Sequence, residues 1–110
     1  MADKIVVLVT CGSNEEAKKI ADELVQSKLV ACVNILASVQ SVFYWEGKAC
    51  DEQETLLIIK SVKRNLHEVI RKVTDIHSYD VPEVIALPIV AGSQEYLSWV
   101  EEESRGRTNK

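Results

Sequence analysis

Residues 77–93 read HSYDVPEVIALPIVAGS, and the first seven put His77, Tyr79, Asp80 and Glu83 into one polar loop. An imidazole beside a phenol and two carboxylates is the composition of a reactive edge, because imidazole changes charge near neutral pH and ligates metals. The competing reading is architectural: a histidine that hydrogen-bonds backbone and closes a helix through its C-terminal dipole. A second stretch, TCGS at 10–13, sets Cys11 just before a helix start, where a thiol can become nucleophilic. Glu15 and Glu16 in the first turn oppose that shift, and no histidine lies near in sequence to act as base, so Cys11 reads as structural. A third is Phe43, Tyr44 and Trp45 beside the turn EGK. These aromatics either wall a small-molecule pocket or bury against a neighbouring subunit, and the second use is the commoner one.

The elements that must position these residues follow from periodicity. KIVVLVT at 4–10 is a β-branched run with little polar interruption, a strand covered on both faces. Gly12 ends it, Ser13 and Glu16 form a capping box, and Ala17, Ile20, Ala21 and Leu24 mark a helix over about 14–27. LVACVNI continues through VQSVFYW as one long kinked strand, EGK turns the chain, and ETLLIIKSV at 54–62 returns, so 30–62 is a long hairpin. Leu66, Val69, Ile70, Val73 and Ile76 give a second helix one apolar face over 63–76. VPEVIALPIV at 81–90 is a fourth strand, and Pro88, which cannot donate to a ladder, makes it an edge or a bulge. Gly92 turns the chain and Ser93 caps a third helix with Tyr96, Leu97 and Val100 inward, while Trp99 covers an edge.

The order β-α-β-β-α-β plus a helix is the α+β, ferredoxin-like split βαβ plan, with two helices on one face of an antiparallel sheet. The other face is bare and partly apolar, which favours a homo-oligomer. The 110 residues form one domain over 1–105, and 106–110 are a frayed tail. A net charge of -4 argues against a nucleic-acid backbone or an anionic membrane surface, and the aromatics are not interleaved with basic residues. The apolar N-terminal run is too short for a membrane span or a secretory segment. Three cysteines, Cys11, Cys32 and Cys50, in no framework spacing fit reduced thiols in the cytoplasm.

LVACVNI at 29–35, YWEGK at 44–48, and HSYDVPEVIALPI followed by GSQEYLSW resemble, in order, segments of the CutA family of divalent-cation tolerance proteins. The resemblance extends from Val6 to Val100. It implies a compact homotrimer with strands of neighbouring subunits paired at their edges, similar in architecture to the trimeric PII signalling proteins, and no catalytic reaction. It also implies copper binding, by a cysteine late in the first strand and two histidines before the loop tyrosine. Those positions here are Val9, Ile76 and His77, so one of the three family ligands is kept. Cys11 lies two residues beyond Val9, on the same face of an extended strand, and stands in as the thiolate. Glu83 completes a candidate set of His77, Cys11 and Glu83 suited to copper or zinc. The alternative is a PII-like regulatory scaffold whose inter-subunit clefts take a small ligand or a partner protein.

Overall fold

The first strand, β1 (Lys4–Cys11), alternates half-buried and buried residues along its whole length. Ile5, Val7, Val9 and Cys11 therefore share one face, packed into the core, and Val6, Leu8 and Thr10 share the other. The expectation that both faces are covered is met within the chain on the helix side only. The computed structural model describes residues 3–106. Helix α1 (Asn14–Gln26) follows, with the Ser13 hydroxyl accepting from the Glu16 N–H at 3.1 Å, and it buries Ala17, Ile20, Ala21 and Leu24.

The hairpin is longer than its apolar residues suggest. Strand β2 (Val30–Trp45) pairs with β3 (Lys48–Val62) down to Trp45↔Lys48, with irregularities at Val30/Cys32 and Leu36/Val39, the second beside Ser38 at φ 62°. The return strand thus starts at Lys48 rather than at 54. The two-residue turn Glu46-Gly47 has φ of 53° and 80°, the doubly positive geometry that matches the twist of a hairpin.

One 3-10 turn (Lys63–Asn65) leads into α2 (Leu66–Ile76), which buries Val69 and Val73. Strand β4 spans Val84–Pro88, shorter than the expected 81–90, because the chain from 77 to 83 forms a loop around Pro82. The sheet order is β2-β3-β1-β4, antiparallel throughout, so β4 is an edge and Pro88 lies at its end, paired with Ile5. This is the ferredoxin-like arrangement. Helix α3 (Gln94–Glu103) is capped by the Ser93 hydroxyl on the Tyr96 N–H and buries Val100. Tyr96 is not inward in the single chain: it is 41% exposed, with its ring centroid 5.5 Å from that of Trp99.

The face of the sheet away from α1 and α2 carries three cross-strand rows. Leu36, Leu56 and Thr10 align; so do Asn34, Ile58, Leu8 and Ile85; so do Cys32, Lys60, Val6 and Leu87. Most are apolar, and Ile85 and Leu87 remain 52% and 48% exposed.

Candidate functional site

His77 ends α2: its N–H donates to the Val73 carbonyl at 2.9 Å and its φ/ψ is already extended. The ring turns inward, with its side chain wholly buried. Nδ1 lies 3.1 Å from the Tyr79 N–H, which can only donate, and Nε2 lies 2.8 Å from the Thr10 carbonyl, which can only accept. The Nε2–H tautomer satisfies both contacts at once. Tyr79 packs on the imidazole at 4.7 Å between centroids, and its hydroxyl donates to Glu54 Oε2 at 2.8 Å. Burial, then the Glu54 bond, push the Tyr79 phenol well above its ordinary value, so it remains a donor. Gly12 leaves room for this ring: a Cβ there would stand 3.3 Å from the Tyr79 hydroxyl.

Glu16 anchors the same loop. Instead of closing a capping box on Ser13, its carboxylate accepts from the Ser78 N–H at 2.6 Å and the Ser78 hydroxyl at 3.1 Å, and it lies 3.4 Å from His77 Nδ1. Burial raises its pKa, but the two Ser78 bonds and the Gly12 backbone outweigh burial and hold it below the ordinary 4.5. A carboxylate with a depressed folded pKa contributes stability above its unfolded value, and that contribution fades as pH falls through the folded one. Glu16→Gln should therefore lower stability at pH 7 and narrow its gap to the wild type below about pH 4.5, as read by denaturant melts across pH. A gap independent of pH would contradict the ionised contact.

Cys11 is fully buried on the helix side, and its thiol is pushed up to about 12, first by burial and then by Glu16 and Glu54. The structural reading of this cysteine fits its surroundings; a thiolate does not. Glu83 stands apart, exposed on the opposite face, with Oε1 3.5 Å from the Thr10 hydroxyl. Thr10 thus meets His77 through its carbonyl and Glu83 through its side chain. The sheet separates the carboxylate from the buried thiol. Among the described residues no group of three or more His, Cys, Asp or Glu side chains is arranged to hold a metal ion. Within one chain His77 and Cys11 are buried and Glu83 is exposed on the opposite face, so the three are not brought together.

Glu83 instead borders a cleft of about 680 Å³ between the hairpin and the 77–83 loop. Glu52, Glu54 and Asp80 also line it, with Phe43 and Trp45 on the hairpin side and no lysine or arginine. The sequence pattern assigns Glu52 and Glu54 no role, because Glu52 falls before the expected return strand of 54–62 and Glu54 is its first residue. Their signal is the period of two, which sets both on one face of β3. Of the aromatics, Tyr44 is 77% exposed and lies outside the cleft lining, so the triplet divides between a pocket wall and a free surface.

No helix among the described residues is long and apolar enough to cross a membrane. The family model described as CutA1 divalent ion tolerance protein matches residues 5–103. The chloroplastic CutA protein of Arabidopsis thaliana is 50% identical over 101 residues, 92% of this chain and 56% of that protein. The chain spans little more than half the length of such plant relatives. The divalent-cation tolerance protein CutA of Thermus thermophilus is 42% identical over 97 residues, 88% of this chain and 94% of its own length. The crystal structure of CutA1 from Oryza sativa superposes with a TM-score of 0.91 at 44% identity, covering 94% of this chain and 95% of that one. With the fold, the hairpin and the loop all matched within 5–103, the chain belongs to the CutA1 family of divalent ion tolerance proteins.

Proposed function

We propose that this chain is a non-enzymatic, homotrimeric cation-binding protein acting in divalent-cation tolerance, and that cations enter at the acidic cleft beside Glu83. The observation that carries the reading is Glu54: it is 9% exposed, its hydroxyl partner Tyr79 is neutral, and no cation pairs with it among the described residues. A buried carboxylate without a counter-charge is costly, and a bound cation offsets that cost. Copper is the ion the family resemblance points to. Here it would be held weakly by the carboxylates of the cleft, since the imidazole is engaged at both nitrogens and the thiol is protonated. The three free cysteines fit a cytoplasmic setting. The apolar rows of the open sheet face support the homotrimer, each copy covering another.

Calorimetric titration of Cu(II) into the reduced protein tests the assignment. Saturable weak binding should fall about fivefold or more in Glu83→Gln and persist in a folded His77→Ala, Cys11→Ala double variant. Loss of binding in the double variant with no change in Glu83→Gln would return the site to His77 and Cys11. A second reading, a PII-like trimeric scaffold that takes a small ligand, is favoured by the size of the cleft, which far exceeds one ion.

A further inference from the structure

Strand β2 changes sides partway along the hairpin. Asn34 and Leu36 stand opposite Ile58 and Leu56, whereas Phe43 and Trp45 stand opposite Cys50 and Lys48. Directly opposed residues share a face of the sheet, so the open face takes the even positions of β2 at the base of the hairpin and the odd ones at its tip. The cause is a mismatch in length between two fixed points. At the base the ladder is set by Leu36↔Leu56, and at the tip by the Glu46-Gly47 turn, which pairs Trp45 with Lys48. Between these points β2 has residues 37–44 and β3 has 49–55, one fewer. One residue of β2 must therefore leave the ladder, the two-against-one arrangement of a bulge. The backbone that accommodates it is that of Ser38, at φ 62°.

The bulge decides which side chains wall the cleft beside Glu83. Phe43 and Trp45 line it and Tyr44 does not; Val42 borders it but is 73% exposed, against 37% for Phe43. If the ladder ran on unbroken from Leu36↔Leu56, Val42 would fall opposite Cys50 and Tyr44 opposite Lys48. The turn would then lengthen to Trp45-Glu46-Gly47, and the Phe43 ring would pass to the other face. Hydrophobic pattern does not choose between the two registers, because VFYW at 42–45 offers an apolar residue and an aromatic ring to either face. The choice falls to the turn and to Ser38. Glycine takes a left-handed backbone at no steric cost, and a β-branched residue takes it only with strain. We propose that Ser38 is a positioning residue: by absorbing the extra residue of β2 it puts Phe43 and Trp45, rather than Val42 and Tyr44, on the wall of the cleft. The inference rests on the cleft being the functional site and names what sets its aromatic wall.

Cys50 is a native reporter of the register, since it faces Phe43 in the bulged hairpin and would face Val42 in an unbroken one. Phe43→Cys and Val42→Cys are each made in the full chain, with Ser38 kept, with Ser38→Gly, with Ser38→Val and with Ser38 deleted. Closure of the new thiol onto Cys50 in glutathione disulfide and a chelator is followed by peptide mass mapping of single chains. With Ser38 or Ser38→Gly, Phe43→Cys should close about tenfold or more faster than Val42→Cys, because only opposed thiols reach disulfide geometry. Ser38→Val should narrow that preference to less than about threefold or reverse it, since the extra residue then escapes through the turn. Deleting Ser38 should keep the preference, because both fixed points stay in register once the extra residue is gone. A residue that merely stabilised the hairpin would change both rates together. Equal rates with Ser38 in place, or a full preference retained in folded Ser38→Val, would overturn the proposal. If Ser38→Val does not fold, the deletion decides: a preference retained supports the proposal and a preference lost overturns it. No metal takes part, so failure of Cu(II) binding would sink the cation site and leave this result standing.

Discussion

Replacing His77 by alanine should lower the melting temperature of the metal-free protein by on the order of 15 °C, with chain concentration held fixed. The ring satisfies two backbone groups that belong to different parts of the fold, the Thr10 carbonyl at the end of β1 and the Tyr79 N–H in the loop after α2. Leaving a buried donor or acceptor unpaired costs about 1–3 kcal/mol each, and the missing ring adds a cavity beneath Tyr79. The total, about 3–5 kcal/mol, is a large share of a small domain's stability. His77→Gln should recover part of the loss, because its amide offers one donor and one acceptor to the same two groups. Melts in the presence of a chelator separate this role from a metal ligand's. An unchanged melting temperature in His77→Ala would mean that the ring exists for a ligand and that its two backbone contacts contribute nothing.

Ile85→Asp should leave the chain folded and dissociate the assembly. Ile85 sits in the central row of the open sheet face, paired with Leu8, which in turn pairs with Ile58. In the single chain it is 52% exposed, so a carboxylate there meets water and costs the isolated fold little. In the proposed homotrimer another copy covers this face, and an unpaired charge there is desolvated with no partner. The scattering mass should drop toward the 12.3 kDa of one chain while the far-ultraviolet circular dichroism spectrum is retained. An unchanged mass would place the subunit contact elsewhere on the molecule.

What could be read from the sequence was set by local pattern. The alternation of β1, the apolar face of α1, the hydroxyl caps at Ser13 and Ser93 and the edge position marked by Pro88 each depend on residues within a few positions of one another. The start of β3 did not show because Asp51, Glu52 and Gln53 are poor strand formers in isolation. Pairing with Gln40, Ser41 and Val42 overrides their propensity. The inward reading of Tyr96 treated α3 as if it packed on a full core, whereas within one chain it buries Val100 and leaves Tyr96 and Trp99 partly open.

The candidate site divides along the same line. His77 was visible as either a ligand or a backbone-binding helix end, and only the distances to Thr10 and Tyr79, 67 and two residues away, decide its present role. Glu16 looked like half of a capping box because Ser13 stands three residues before it. Its bonds to Ser78 span 62 residues, beyond any local pattern. Glu54 and Tyr79 meet across the hairpin and the loop, so their pairing had no sequence signal at all.

The mass of the wild-type protein in solution, followed by light scattering over a dilution series, bears most directly on the homotrimer with an open sheet face covered by its own copies. A constant mass of about 37 kDa, three times the 12.3 kDa chain, is predicted down to micromolar concentration. A mass near 12.3 kDa at those concentrations would contradict the assembly and leave Ile85 and Leu87 with no partner in a second copy.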